Sequence, residues 1–582
     1  MKKILAVMLT ICLLLCSVST ASFSASAESY GDFWYTVSNG KVTITRYNGD
    51  ATDVVVPASI NGYPVTALQG TSNGGHGAFR NLDTNITSIT LPESIEEIGP
   101  YAFENCIHLS RVNISDIAKW CNISFGYDYS NPVYYSHNLY LNNNKVTSVT
   151  ILEGTTTINS YAFQGLQSLT RVTIPNSVKE IHRYAFDGCT GLSDISIPNS
   201  VTTIGESAFK NCTGFTSISI PNSVTSIGES AFEGCSALVN VNIPNNLKEI
   251  ENNTFCDCKS ISNIVVPNSV TRIGNYAFSN CKSLEQITMG NGVTVVGVYA
   301  FYYCSSLEKV NISDISKWLG ITFWNMCANP LGNKAEEYFF IDELRSKAGL
   351  YLNGELVTDL IVPEGTTSIG RSAFEGYGKL KSVSIPSSVK YINENAFSTG
   401  SKLSKVNITD VEKWCNIYFQ NENTNPLSSS ENLYINGNLI TDLVIPDGVK
   451  QVSSYAFAGC EGLKSVKIPT SVTDIGYMAF DGVETIYGYK GTKAEKYAET
   501  NKINFIDLDS ISNVKYGDVD GDGVVTVKDA LMTLQAYVKT LELTDSQKIA
   551  ADVDGESGVS IKDALLILQY FVGIVTKFPV EM

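Results

Sequence analysis

The sequence predicts a mainly β repeat solenoid, made of parallel strands with short irregular or helical returns, followed by a small all-α module. The first observation is an Ala-Phe pair whose Phe recurs every 23 residues from Phe163 to Phe301, with Thr254 replacing Ala once. The second is a short apolar alternation that ends at a Pro in most repeats. The third is a pair of Asp-rich segments near the C-terminus, each followed by an apolar run. Such a period is typical of solenoids, in which neighbouring turns bury each other's apolar faces.

The composition limits the class of partner. The 582 residues include 41 Lys and Arg against 58 Asp and Glu, which gives a formal net charge of −17. Binding to phosphate groups requires clustered basic residues, so this balance argues against nucleic acid or an anionic membrane as the partner.

The N-terminus has the features of a signal peptide. Two lysines precede an apolar run over residues 4–15, and Ala25-Ser26-Ala27 supplies the small residues of a cleavage site. The apolar run is too short for a membrane helix, and no later stretch is long enough either. We therefore expect a signal peptide over residues 1–27, no transmembrane segment, and a secreted, extracellular mature protein.

One repeat shows how a turn is built. The pattern Leu192-x-x-Ile195-x-Ile197 predicts a short strand with one buried face, and Pro198 ends it because proline cannot donate to a ladder. Eight copies carry a Cys three residues after the Phe, at Cys106, Cys189, Cys212, Cys235, Cys258, Cys281, Cys304 and Cys460. This recurrence favours free thiols buried in a stack. Oxidation of neighbouring pairs is the alternative, and it would require a narrow Cα and Cβ geometry.

Three insertions interrupt the period, near residues 112–150, 310–360 and 406–445. Each contains a Lys-Trp pair and, twelve residues after the Trp, a Pro that follows an Asn; the tryptophans are Trp120, Trp318 and Trp414. The shared spacing favours tryptophans that anchor the insertions, with stacking on glycans as the alternative. The middle insertion is the longest, and with Trp324 and residues 338–340 it is the predicted ligand contact of the solenoid.

The full repeat, I-x-x-x-A-F-x-x-C-x-x-L-x-x-I-x-I-P, resembles the 23-residue leucine-rich repeats of bacterial surface proteins. The resemblance implies a right-handed solenoid with a binding or scaffolding role, whose ligand would be an unidentified protein or glycan. We assign the solenoid to residues 76–485, its caps to 28–75 and 486–505, a linker to 506–515 and the helical module to 516–582.

The helical module contains two calcium-loop patterns, 34 residues apart. Calcium prefers six to eight oxygen ligands, which alternate residues of a tight loop can bring together. The expected ligands of the first ion are Asp518, Asp520, Asp522, Val524, Thr526 and Asp529. Those of the second are Asp552, Asp554, Glu556, Gly558, Ser560 and Asp563. We expect weaker binding of the second ion, because Glu556 is longer than Asp and Ser557 replaces the turn glycine.

Two loop–helix units that each have Asp at loop position twelve resemble the type I dockerin of cellulosome-like assemblies. The resemblance implies docking to a cohesin module of a scaffoldin. The contact positions it implies are Val527, Lys528, Leu534, Gln535, Ile561, Lys562, Leu568 and Gln569. Their near-identity in the two copies implies a pseudo-twofold surface that could bind in two orientations. The alternative for Leu534 and Leu568 is a place in the core.

These observations predict a secreted, non-catalytic leucine-rich-repeat protein. The resemblances imply that it is attached through a calcium-dependent dockerin to cohesin-bearing scaffolds of a polysaccharide-degrading complex. No residue is predicted to be catalytic, since the repeat positions occupy nearly all of the solenoid sequence. One alternative is a dockerin-bearing glycoside hydrolase or other polysaccharide-active enzyme. Another is a free surface adhesin or inhibitor.

Overall fold

Each regular repeat folds into one turn with two short strands. The computed structural model describes residues 27–71, 77–80, 85–127, 129–332, 347–398, 403–421, 424–430, 432–511, 514–556 and 558–581. The predicted signal peptide lies outside these residues, except for its last residue. The described residues form two compact units, one that ends at Lys309 and one that begins at Val310. Both units contain parallel solenoid turns, and the second unit also contains the helical module, so the predicted fold class is confirmed.

Strands of neighbouring turns pair in parallel, one repeat apart. Asp194–Ser196 pairs with Arg171–Thr173, so that Ile195 lies opposite Val172. A second ladder joins Thr203–Ile204 to Glu180–Ile181 on one side and to Ser226–Ile227 on the other. The sequence predicted the first ladder and not the second, because a two-residue strand buries one side chain and shows no alternation. The return between the ladders, which includes Ala-Phe, consists of turns.

The first unit begins with antiparallel strands and continues as a solenoid. Its first strands are Glu28–Tyr30, Phe33–Ser38, Lys41–Tyr47, Ser59–Ile60 and Tyr63–Leu68. The longer strands of its turns are Asp53–Val55, Ser88–Thr90, Arg111–Ile114, Leu139–Leu141, Ser148–Thr150, Arg171–Thr173, Asp194–Ser196, Ser217–Ile218, Asn240–Val241, Asn263–Val265 and Gln286–Thr288. The second strands are Glu97–Ile98, Ser124–Phe125, Thr157–Ile158, Glu180–Ile181, Thr203–Ile204, Ser226–Ile227, Glu249–Ile250, Arg272–Ile273 and Val295–Val296. A hairpin strand, Asn144–Lys145, pairs with Leu139–Leu141.

The second unit repeats this plan. Its longer strands begin with Lys309–Ile312, whose first residue still belongs to the first unit. The others are Gly349–Leu352, Asp359–Ile361, Ser382–Ile385, Lys405–Ile408, Leu433–Ile435, Asp442–Val444, Ser465–Lys467, Thr485–Gly488 and Asn504–Asp507. The second strands are Thr322–Phe323, Ser368–Ile369, Tyr391–Ile392, Tyr418–Phe419, Gln451–Val452 and Asp474–Ile475. Hairpin strands Glu355–Leu356 and Asn438–Ile440 pair with Gly349–Leu352 and Leu433–Ile435.

Helices occur in the insertions, after the last regular turn and in the helical module. Those of the insertions are Ile117–Cys121, Val133–Ser136, Ile315–Leu319 and Val411–Cys415, with 3-10 helices Met326–Ala328 and Pro426–Ser429. Helix Lys493–Asn501 lies in the segment assigned to the C-terminal cap, and Leu508–Ile511 follows that segment. The module contributes Val527–Tyr537, Asp545–Ala551 and Ile561–Phe571, and the 3-10 helix Pro579–Glu581.

The repeated Phe and Cys residues form the solenoid core. The rings of Phe163 and Phe186 are stacked with their centroids 5.3 Å apart, and stacking continues at the same position to Phe301. The Cys189 thiol donates to the carbonyl oxygen of Phe163 at 3.0 Å, and the same bond recurs in following turns. The predicted burial of the repeated cysteines is confirmed.

Each insertion is anchored by its tryptophan. Trp120, Trp318 and Trp414 are at most 2% exposed. Their indole N–H groups donate to main-chain carbonyl oxygens of Ala162, Ala373 and Ala456 at 2.9, 3.1 and 2.8 Å. The predicted anchoring role is therefore confirmed, and the alternative of stacking on glycans is wrong because the rings are buried.

Candidate calcium loops and docking surface

An aspartate at the start of each long helix of the C-terminal helical module ties the helix to its loop. Asp529 Oδ1 accepts from the main-chain N–H groups of Val519 and Asp520 at 2.7 and 2.9 Å. Its Oδ2 accepts from the N–H and the hydroxyl of Thr526, at 2.8 and 2.9 Å, which forms a capping box. Asp529 is fully buried. The carboxylate at position twelve therefore holds the beginning of the loop against the helix N-terminus.

The second helix begins in the same way. Asp563 Oδ1 accepts from the N–H groups of Val553 and Asp554 at 2.9 and 3.0 Å. Its Oδ2 accepts from the N–H and hydroxyl of Ser560 at 2.8 and 2.7 Å. The two loops thus share one backbone design, as the sequence repeat requires.

The first loop brings three of its predicted ligands together. One carboxylate oxygen from each of Asp518, Asp520 and Asp522 lies within 4.8 Å of the others. Asp518 accepts from the N–H groups of Gly521 and Gly523 at 3.0 and 2.7 Å, which curls the loop around its carboxylate. Gly523 has a φ of +89°, a conformation that a side chain would strain. Three converging carboxylates suit a hard cation such as calcium.

The remaining predicted ligands of the first loop lie near these carboxylates in the chain. The N–H of Val524 donates to Asp522 at 2.8 Å, so its peptide lies inside the loop. The Thr526 hydroxyl is bonded to Asp529. The carboxylate of Asp529 is not among the three that converge.

The second loop groups its carboxylates differently. Oxygens of Asp552, Asp554 and Asp563 lie within 4.8 Å of one another, whereas Glu556 is outside this group. The Glu556 side chain is 77% exposed and accepts from Lys562 Nζ at 2.8 Å. The N–H of Gly558 donates to Asp552 at 3.3 Å. Ser557 lies outside the described residues.

A buried carboxylate oxygen in the second loop fits a cation. Asp552 Oδ1 is inaccessible to solvent and has no hydrogen-bond donor among the described residues. Burial raises the pKa of Asp552. An unsatisfied buried acceptor is unfavourable, and a bound cation would satisfy it. The residues of this loop therefore fit calcium.

Two lysines reach from the helices to the loops. Lys528 Nζ lies 2.7 Å from Asp520 Oδ2, and Lys562 Nζ lies 3.1 Å from Asp554 Oδ2. The Lys528 ammonium holds the pKa of Asp520 below its usual value. Both lysine side chains are more than half exposed, so the two predicted contact lysines are on the surface beside the loops.

Each long helix exposes a row of apolar side chains spaced by four, three and four residues. We call these rows the first docking face (Val527, Leu531, Leu534 and Val538) and the second docking face (Ile561, Leu565, Leu568 and Val572). Their residues are between 38% and 59% exposed. Leu534 and Leu568 are each 38% exposed, so the alternative that they belong to the core is wrong. Gln535 and Gln569, the other predicted contacts, are half-buried.

Four residues of the docking faces were missed by sequence reasoning: Leu531, Val538, Leu565 and Val572. Their signal was the identical apolar spacing in both copies, which continues each face by a further helical turn. The core instead uses the opposite sides of the helices, with Ala530 and Ile567 buried beside Phe578. The Phe578 ring stacks on Tyr570 at 4.6 Å.

The repeats match a family model described as BspA type leucine rich repeat region, in six copies. The matched residues are 68–128, 134–261, 202–329, 350–439 and 428–515, which together exceed half of the chain. The chain belongs to the BspA-type leucine-rich-repeat family. The Dockerin type I domain model matches residues 516–572 of this BspA-type protein. Both resemblances are therefore confirmed, and neither family model describes a catalytic domain.

The solved structures that are similar to this BspA-type protein include bacterial leucine-rich-repeat proteins. A leucine rich cell surface protein from Faecalibacterium prausnitzii is 25% identical, with 52% of this chain and 98% of that chain covered and a TM-score of 0.30. A leucine-rich repeat protein from Bacteroides ovatus is 21% identical, with 82% and 100% covered and a TM-score of 0.38. No curated protein gives a significant match. Among the described helices, none has the length and apolar character needed to cross a membrane.

Proposed function

We propose that this is a secreted, non-catalytic binding protein that docks onto a cohesin-bearing scaffold. Docking would place the BspA-type repeats in a multi-protein complex that degrades polysaccharide. The dockerin match implies a cohesin partner, and the BspA-type repeats imply a place outside the cell or at its surface. The observation that carries the proposal is the pair of exposed apolar docking faces directly beside the acidic loops.

Calcium binding in the loops would order the two docking faces, because each loop is bonded to the first turn of the helix that carries a face. We propose Asp518, Asp520, Asp522, Val524, Thr526 and Asp529 as the first calcium site, and Asp552, Asp554, Glu556, Gly558, Ser560 and Asp563 as the second. Bound calcium would supply the positive charge that holds several carboxylates close together. Asp529 and Asp563 would transmit this order, because each already bonds its loop to the start of a long helix.

The docking faces would supply the contact area. Exposed apolar rows of this kind are typical of protein interfaces, where aliphatic side chains gain free energy on leaving water. Lys528 and Lys562 flank the faces and would add charge complementarity to an acidic partner surface. Calcium would also compete with Lys528 for Asp520, so ion binding is expected to turn the ammonium towards the partner.

The experiment is a capture assay with the mature protein and an immobilised type I cohesin. Capture is expected in calcium and not in EDTA, because metal binding and folding are coupled in small modules. The β-strand signal in the circular dichroism spectrum of the mature protein comes from the repeats and should be nearly unchanged by EDTA. This would show that the loss of structure is confined to the helical module. Equal capture in calcium and in EDTA would contradict the proposal.

A further inference from the structure

The first unit has a cleft beside its insertion. The cleft has a volume of about 530 Å³ and lies between the insertion segment that carries Tyr134 and Tyr135 and the turns that follow. Its size is in the range of sites for small ligands, ~300–1,000 Å³. Gln164 and Asp187, one residue after the Phe in consecutive turns, also line it. The cleft is therefore a mixed aromatic and polar site.

Glycines allow the main chains beside this cleft to approach each other closely. Gly165 and Gly188 follow Gln164 and Asp187, and both have positive φ, of +75° and +71°. A side chain at Gly165 would meet the main chain of Tyr134, since its Cβ would lie 2.9 Å from that residue's Cα. In the next turn the equivalent position is Asn211, which also lines the cleft. At Gly165 and Gly188 the lining is main chain, since glycine has no side chain.

Gln164 has an acceptor that the described protein does not satisfy. Its side chain is buried, with the residue 4% exposed, and its Nε2 donates to Asp187 Oδ2 at 3.1 Å. Because a carboxylate only accepts, the amide nitrogen must face Asp187, which fixes the orientation of the amide group. Its Oε1 has no hydrogen-bond donor among the described residues. This oxygen is also inaccessible to solvent, so a ligand donor would reach it only once the Gln164 side chain turns towards the cleft, and would then remove this unfavourable state.

The aromatic wall is a packed group. Tyr134 lies edge-to-face with Tyr129 and with Tyr135, at centroid distances of 5.1 and 5.2 Å. The Tyr135 hydroxyl accepts from the N–H of Asn105 at 3.0 Å, which holds its ring in place. Both rings that line the cleft are half-buried. They form an aromatic surface with a polar edge at the hydroxyl groups.

The third insertion has the same main chain without these side chains. There a Cβ at Gly459 would lie 3.0 Å from Ser428 Cα, so Ser428 takes the place of Tyr134. The residue before Gly459 is Ala458, where the first insertion has Gln164. The solenoid framework therefore does not require the aromatic wall or the amide, and both point to a local role.

We propose that this cleft binds a neutral saccharide. Sugar hydroxyls can donate to Gln164 and Asp187, and the C–H face of a sugar ring can pack on Tyr134. The other polar lining residues are His137, Gln167, Thr190 and Asn211. An anionic ligand is disfavoured, because the carboxylate of Asp187 lies at the site and the described lining contains no Lys or Arg. The inference rests on the proposed role of the repeats as a binding surface and is independent of cohesin docking. The expected ligand contact of the middle insertion stays a prediction, since residues 338–340 lie outside the described residues.

The test is calorimetric titration of the mature protein with neutral hexasaccharides: cellohexaose, xylohexaose, mannohexaose and maltohexaose. At least one should bind, equally well at low and high salt and in the presence of EDTA. Tyr134→Ser and Gln164→Ala should each weaken binding about ten-fold, since each removes one main contact. Each substitution introduces the residue that the third insertion has at the equivalent position, Ser428 or Ala458. Tyr134→Phe, which keeps the ring, should bind nearly as well as the unchanged protein.

The control is Tyr391→Ser, which removes an exposed ring in the second unit and should leave the affinity unchanged. Failure of all four saccharides to bind would overturn the proposal, and so would binding that neither cleft variant weakens. Salt-sensitive binding of choline in place of saccharide would also overturn it, because the cleft would then be a cation site. Cohesin capture by the same variants should be normal, so a failure here is distinct from a failure of docking.

Discussion

The two docking faces make a prediction about paired substitutions. Leu531 and Leu565 occupy the same place on the first and second docking faces, and they are 51% and 54% exposed. If either face can bind the cohesin, Leu531→Asp removes one of two equivalent orientations. The single variant should then lose only about two-fold in affinity, or about 0.4 kcal/mol. The double variant with Leu565→Asp leaves no intact face.

The loss expected for the double variant follows from the exposure of these leucines. Fully burying a leucine is worth about 1.5–3 kcal/mol, so covering half of one contributes about 1 kcal/mol. A carboxylate buried without a partner adds a penalty of at least about 1–2 kcal/mol. The total of about 2–3 kcal/mol corresponds to a loss of about 30- to 150-fold in Kd.

The assay is surface plasmon resonance with immobilised cohesin in calcium. Neither leucine belongs to a predicted calcium site, so a calcium titration of each variant serves as the control for folding. Abolition of binding by Leu531→Asp alone would refute the idea of interchangeable faces. A double variant that binds as tightly as the unchanged protein would show that neither face contacts cohesin.

Three further predictions concern the loops and the core. The second loop should bind calcium more weakly than the first and gain affinity in Glu556→Asp; a calorimetric titration with two equal tight sites would contradict this. Trp414→Phe should lower the free energy of unfolding, measured by urea denaturation, by about 2–4 kcal/mol, because it leaves a cavity and removes a buried hydrogen bond. The control is Trp324→Phe, which should have little effect because Trp324 is 51% exposed. Burial raises the pKa of Cys235 from 9.0 to about 12, so the thiol stabilises the fold fully below pH 9 and loses that contribution towards pH 12. Melting temperatures should therefore fall over this interval, and alkylation of the native protein at pH 8 should be slow.

The sequence predicted the repeat well because each turn repeats its burial pattern. The positions of Phe186 and Cys189 recur with one period, so their stacking follows from the period alone. The insertion tryptophans were predicted for the same reason, since Trp120 and Trp414 occur in one shared context. Burial positions that recur with a constant period can therefore be predicted from the sequence.

Features formed by single side chains at the meeting of several turns were not predicted. The cleft beside Tyr134 depends on Gln164 and Asp187, which belong to different turns, and the residue after the Phe varies among the repeats. Nothing in their local sequence shows that they share a surface. The salt bridge between Lys528 and Asp520 was missed because spacing within the loop and helix does not determine the direction of a long side chain.

The pairing of residues one repeat apart has a consequence for inheritance. In the regular turns of the first unit, a strand residue meets the residue 23 places along, as Ile204 meets Ile227. A recombination event that copies or deletes 23 codons leaves such pairs chemically equivalent, whatever codon it starts from. Lineages can therefore change the number of regular turns in single genetic steps, without new compensating substitutions. Events whose length is not a multiple of 23 codons would shift the apolar positions out of alignment, so selection should remove them.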